Sequence, residues 1–283
     1  MLRTLVVNAD DLGLTVGVNN GIFDAHDRGI LTSASLMANA PATANAIRGL
    51  RTRSALGIGV HLTLVDGAPM LLPDRVPSLV QDDGRFPPSW KPFIVSCLLG
   101  RVSMDEVERE LAAQIERVVS EGIRPTHLDA HKHVHAYPPV FAIVARLAER
   151  FGIPVVRVPY EGSLADLPLF VWTHRDYAIA SAYGVRTPRF VGRAITGVMT
   201  SDSLASALRG LRAGHTELMV HPGYVDDALR RMPTRLLESR AQEVALLASG
   251  DVADLLIDEH IQLVTHDLAP VDLAPSRSYR DAS

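Results

Sequence analysis

The chain has 283 residues, 47% of them hydrophobic and 21% charged, with a formal net charge of −4. This is an ordinary soluble globular composition, long enough for one α/β barrel or two small domains. No basic block marks a nucleic-acid partner. Cys97 is the single cysteine, so no disulfide can form within the chain, and a reducing, cytoplasmic setting is expected. No run reaches the roughly 18 apolar residues of a spanning helix, so no transmembrane segment is expected. Met1-Leu2-Arg3-Thr4 lacks the charged-then-apolar pattern of a signal peptide.

The first apolar run, Leu5-Val6-Val7, predicts a short buried strand, and Gly13 the turn beyond it. A helix follows near Val18–Asp27, closed by Gly29, then a strand over Ser33–Met37, a helix over Ala42–Leu50 and a strand over Leu56–His61. Ser103–Glu121 is the clearest helix: Ser103 and Glu106 form an S-x-x-E capping box, and Gly122 ends it. Thr126–Ala130 reads as a strand. Pro139–Phe151 reads as a helix, with proline near its start and Gly152 after its end. Then come a strand over Val155–Val158, a helix over Leu204–Leu211, a strand over Glu217–Val220, a helix over Leu236–Leu247 and a strand over Ile261–Thr265. Strands alternating with helices predict parallel pairing. Seven or eight such units predict an irregular TIM-like (β/α) barrel forming a single domain over residues 1–270. A doubly wound sheet is the competing architecture. Two apolar, proline-containing stretches near 68–101 and 164–183 interrupt the alternation and read as insertions, as lids or as surface packing. Residues 271–283 read as a flexible tail.

Ionisable residues recur where these strands end. Asp10 and Asp11 follow the first, in Asn8-Ala9-Asp10-Asp11-Leu12-Gly13. Adjacent carboxylates at the exit of a buried strand repel each other unless a cation or hydrogen bonds compensate. His61 ends another strand, Asp129 and His131 a third (with His133 and His135 beyond), and His221 a fourth; Arg157 lies near the end of Val155–Val158. In a parallel barrel those ends meet on one face. Asp and His around one point suit a divalent ion with positions left for water. His127, Asp129 and His131 alternate by two and so share one side of an extended strand; spacing does not decide which of His127–His135 touch a metal. If Asp11 binds the ion, Asp10 is free to take a proton from water. The plain alternative makes one aspartate a turn cap. Arg157 either orients Asp10 or pairs with Glu161 at the surface.

Together with Gly59-Val60-His61-Leu62-Thr63-Leu64, Thr126-His127-Leu128-Asp129-Ala130-His131-Lys132-His133-Val134-His135 and His221-Pro222-Gly223, the first-strand motif resembles the YdjC-like carbohydrate deacetylases, chitooligosaccharide deacetylases among them. The match runs from the N-terminus to about residue 160 and returns near 216–225. The resemblance implies a barrel-like fold, a divalent ion (magnesium or zinc), hydrolysis of the acetamide of an N-acetylglucosamine unit, and a homodimer. Carried over, Asp11, His61 and His131 are the metal ligands, Asp10 the general base and His221 the general acid. Asp129, His133 and Arg157 are left to bind substrate or to support these residues.

A narrower resemblance, in Leu62–Pro69, Val80–Phe86 and Ala130–His133, is to the subgroup associated with hopanoid biosynthesis. It implies a lipid-linked amino sugar and a place against the inner face of a membrane. The apolar stretches Phe86–Leu99 and Leu167–Trp172 suit a lipid or a dimer partner. Two other functions compete: a metal-dependent amidohydrolase or phosphoesterase on a barrel, and a non-catalytic sugar- or lipid-binding protein.

Overall fold

The Leu5-Val6-Val7 run lies in β1 (Arg3–Leu12), whose last eight residues are all buried. Burial on both faces is what a central parallel strand requires, and it is why the run reads as continuously apolar. The computed structural model describes residues 2–162 and 167–271, and the side chains of these except 167–170. After β1 come α1 (Val16–Arg28), β2 (Ser33–Leu36), α2 (Thr43–Leu50), β3 (Gly57–Leu62), α3 (Trp90–Leu98), α4 (Met104–Ser120), β4 (Leu128–Ala130), α5 (Pro138–Phe151), α6 (Leu167–Ala182), β5 (Arg189–Val191), α7 (Ser201–Arg209), β6 (Gly214–Val220), α8 (Asp227–Arg230), α9 (Glu238–Leu247), α10 (Gly250–Asp258) and β7 (Ile261–Leu263).

The strands pair in the order β4-β3-β2-β1-β6-β5, every pair parallel. β7 pairs the first residues of β1, while β2 pairs its later ones. Parallel bridges Leu128↔Val156 and Val155↔Arg186 carry the pairing from β4 toward β5. The sheet thus curls into an irregular TIM-like barrel. The strand expected over Val155–Val158 is reduced to these two bridges.

The expected insertions contribute regular structure. Residues 68–101 contain α3 and bury Val76, Leu79, Phe86, Phe93 and Ile94 in the core. The stretch near 164–183 contains α6, which packs on α5 as the crossover toward β5. Residues 163–166 and the tail beyond Val271 lie outside the described residues.

Local signals hold the helices where the sequence placed them. Gly152 ends α5 in the left-handed conformation, at φ 66°. Ser103 caps α4 by accepting from Glu106 N. The other half of the expected capping box is different: Glu106 turns to Ser78, accepting from its N and Oγ at 2.8 and 2.7 Å, and Ser78 Oγ accepts from Ser103 N. A neighbouring loop donor has replaced the helix's own. Further along α4, Gln114 accepts from Thr63 N and donates to Thr63 O, both at 2.8 Å, while Glu110 accepts from Met70 N and Leu71 N. One helix face therefore pins the chain that leaves β3 just after His61.

Candidate active site

Neighbouring residues of a strand point to opposite faces, yet Asp10 and Asp11 both line one cleft at the C-terminal mouth of the barrel. The register of β1 against β2 shifts between Ala9 and Leu12, and Asp11 adopts φ 69°. This bulge turns the second aspartate back to the side of the first. A left-handed, non-glycine residue costs about 1–3 kcal/mol, a strain of the kind functional sites retain. After β4 the chain repeats the device: Lys132 and His133 have φ of 53° and 54°, which ends the extended run at Ala130 and brings His131 and His133 to the cleft.

Asp11 Oδ1 lies 3.0 Å from His131 Nδ1 and 3.5 Å from His61 Nε2. One donor atom from each of the three residues falls within 4.8 Å of the others, so this set is able to hold a metal ion. A carboxylate and two imidazoles suit a divalent ion with open positions. His61 donates through its other nitrogen, Nδ1, to Asp129 Oδ1 at 2.8 Å, the carboxylate–histidine pairing that orients a ligand. Asp10, His61 and Asp129 form a second possible set. There a guanidinium already supplies the positive charge. Arg157 donates to both oxygens of Asp10 at 2.7 Å, pairs with Asp129 Oδ2 at 2.8 Å, and donates from Nε and Nη2 to Glu217 Oε1 at 2.8 and 2.6 Å.

Arg157 is thus 1% exposed and orients Asp10. The surface pairing with Glu161 does not form; that carboxylate accepts from Arg193 N and Ala194 N instead.

Charge balance explains the proton affinities. Burial opposes the charged form of His61, but the Asp129 and Asp10 carboxylates overcome it and raise the imidazole to about 10. Burial likewise works against His131, and Asp11 raises it. Asp11 is held well below the usual carboxylate range: burial pushes it up, and Arg240 and His131 more than reverse that. The carboxylates therefore draw positive charge to the point between the two imidazoles. His221, just beyond β6, is the opposite case. Burial takes it down to about 4, against the pull of Asp10 and Asp11, and Nδ1 has no partner among the described residues. It is neutral at neutral pH.

The remaining histidines separate by position. His133 lines the cleft and packs edge-on against Phe190. His135 is buried, with Nε2 2.8 Å from Arg157 O, and so supports the arginine rather than facing the cleft. His127 shares the Asp129 side of β4, as the alternation requires: both reach Ser35 Oγ, at 2.9 and 2.8 Å. His127 stacks on His266 inside the barrel at 3.9 Å. Gly59 makes room for it, since a methyl there would overlap the imidazole ring.

Sequence reading did not find Glu217, Arg240, Asn8 and Ser35. Asn8 Nδ2 donates to Asp10 Oδ1 and Ser35 Oγ, and Arg240 Nη2 is 2.6 Å from Asp11 Oδ2. Glu217 carried a signal, a carboxylate opening the apolar run Leu218-Met219-Val220. Arg240 carried none beyond its place in a predicted helix.

The cleft encloses about 730 Å³ and is walled by Trp90, Lys132, His133, Arg193 and Leu236 around the aspartates and histidines. That size fits a small-molecule substrate. Parallel strands that bring carboxylates, imidazoles and guanidinium groups to one mouth define a (β/α)-barrel enzyme. A family model described as YdjC-like protein matches residues 4–258. A carbohydrate deacetylase of Geobacillus stearothermophilus is 35% identical over 269 residues, covering 94% of this chain and 98% of its own. One from Brevibacillus brevis is 34% identical over 262 residues, covering 92% and 97%. A crystal structure from Enterococcus faecalis, described provisionally as a cellobiose-phosphate cleavage protein, superposes with a TM-score of 0.81 at 28% identity, over 94% and 98% of the two chains. The chain belongs to the YdjC-like family and is an enzyme of its deacetylase class.

Proposed function

We propose that this enzyme hydrolyses the acetamide of an N-acetylglucosamine unit in a saccharide or glycolipid, releasing acetate and a free amine, with one divalent ion, magnesium or zinc. The observation that carries the reading is the meeting of Asp11, His61 and His131 at one point of the cleft, beside an Asp10 clamped by Arg157. A bound ion supplies Lewis acidity toward the carbonyl oxygen and lowers the pKa of water toward about 7. Asp11, His61 and His131 would hold it, with Asp129 fixing the His61 ring.

Asp10 takes the proton from the attacking water. Arg157 keeps both Asp10 oxygens in one plane, leaving the carboxylate no freedom to turn away. His221 carries a proton to the departing nitrogen, since an amide nitrogen leaves poorly as an anion. Because His221 rests neutral, its proton comes from within the cycle, from the water that Asp10 has deprotonated. The water oxygen bonds to the acetyl carbon, the C–N bond breaks, and the proton taken up by Asp10 is passed on through His221 to the departing nitrogen, so amide plus water gives acetic acid plus amine and both side chains return to their starting states. His133 contacts substrate in the cleft.

Exposed Val95, Leu98 and Leu99 on and just after α3, continuous in sequence with Trp90 of the cleft, support a lipid-bearing substrate. In this reading that face serves the lipid at a membrane, and sedimentation distinguishes it from a homodimer interface.

The test is acetate release by metal-stripped protein, with and without added magnesium or zinc. The substrates are chitobiose, free N-acetylglucosamine and a lipid-linked N-acetylglucosamine, with phosphate esters and cyclic amides beside them. Ion-dependent acetate release, lost together with bound metal in Asp11→Ala, is expected. Full activity in the stripped protein or in Asp11→Ala overturns the assignment.

A further inference from the structure

Helix α9 lies behind the site and touches it at two points. Arg240 is 1% exposed, and its Nη2 sits 2.6 Å from Asp11 Oδ2. The other oxygen of the same carboxylate, Oδ1, is the one that faces His131 and His61. Arg240 Nε donates to Leu236 O at 3.2 Å, which ties the guanidinium to its own helix. Its backbone oxygen accepts from Gly223 N at 3.2 Å. Three residues on, Glu243 Oε2 accepts from His221 N at 2.5 Å. One turn of helix therefore grips the Asp11 carboxylate and the His221-Pro222-Gly223 loop together.

A carboxylate offers a metal either one oxygen or two, and two would fill an extra coordination position. We propose that Arg240 is a positioning residue that confines Asp11 to a single ligand oxygen, Oδ1. The consequence is an ion held less tightly than these three ligands allow, with positions left for water and the substrate carbonyl. The inference rests on the metal assignment made under the proposed function. Two effects act in the same direction. The guanidinium occupies Oδ2, and its own positive charge, one carboxylate away, repels a second cation. Partners of metal ligands ordinarily strengthen binding, and losing them weakens it about 10–100-fold. Here the partner is a cation, so the sign reverses. Removing Arg240 also leaves Asp11 as an uncompensated buried charge, which an ion then neutralises.

The test compares wild type, Arg240→Met and Arg240→Lys. Metal-stripped protein is titrated calorimetrically with zinc, cobalt absorption reports coordination number, and acetate release reports activity. In Arg240→Met, zinc binding tightens about tenfold or more while kcat falls at least about tenfold, and the cobalt spectrum changes. Arg240→Lys, which keeps a charged donor, stays near wild type in affinity. A merely structural role predicts the opposite, weaker zinc binding and lower activity together. Unchanged or weaker zinc binding in a folded Arg240→Met overturns the inference alone. Absence of zinc binding to the wild type overturns the metal assignment and the inference with it. Should Arg240→Met not fold, Arg240→Gln, which drops the charge but keeps a donor, carries the same expectation and the same refutation.

Discussion

Asp176 on α6 is a buried carboxylate. It is 1% exposed, and neither oxygen has a hydrogen-bond partner among the described residues. Burial pushes its pKa from 3.8 up to about 8. A shift of about four units, at 1.36 kcal/mol each, corresponds to an upper figure of about 5–6 kcal/mol. The sign follows from proton counting. Below about pH 4 the group is neutral in both native and unfolded chains and costs little. Between about pH 4 and 8 the native state keeps a proton that the unfolded state releases, so stability falls as pH rises, by up to about 1.4 kcal/mol per unit. Above about pH 8 the full penalty is present. Asp176→Asn preserves shape and removes the titration. Urea denaturation from pH 5 to pH 9 should show the variant gaining on the wild type with rising pH, by several kcal/mol at the alkaline end. A stability difference that stays flat across that range refutes the reasoning, because an ionisable group without pH dependence is not paying a desolvation penalty.

Two further substitutions probe the site's supports. Arg157→Met leaves Asp10, Asp129 and Glu217 without their shared guanidinium; loss of one side of a buried ion pair costs about 3–5 kcal/mol. The melting temperature should drop, and kcat should fall more than KM rises, since Asp10 loses its orientation; a variant with wild-type kcat contradicts the role given to Arg157. Gly59→Ala forces a methyl into the His127 ring. Overpacking of this kind costs about 1–3 kcal/mol, measurable as a lower urea midpoint, and a neutral result shows that His127 is free to move away.

Much of the barrel was legible in the chain because the signals are local. A buried parallel strand must be apolar on both faces, so Leu5-Val6-Val7 and Leu218-Met219-Val220 announce themselves without reference to any partner. Gly152 and Ser103 mark helix ends through their own backbone and side-chain chemistry. The approach of Asp10, His61 and His221 to one mouth follows from the topological rule that parallel strands deliver their C-terminal ends to a common face, whereas Asp11 and His131 also depend on left-handed backbone at or just after them. Short β5 and helix α6 were less legible, since a three-residue strand and a helix with a weakly polarised face carry little periodicity.

The division of labour within the acidic pair is a tertiary matter. That two adjacent carboxylates stand at the mouth of the barrel is plain from the residues that follow the first apolar run. A regular strand would have sent them to opposite faces, and only the bulge at Asp11 turns both inward. Which charge compensates each one was decided by chain segments far away. Asp10 meets Arg157, 147 residues later, and Asp11 meets Arg240, 229 residues later. No periodicity or local propensity encodes pairings at that separation. They follow from the curvature of the sheet and the packing of α9 behind it, which bring each guanidinium within hydrogen-bond reach of a different aspartate.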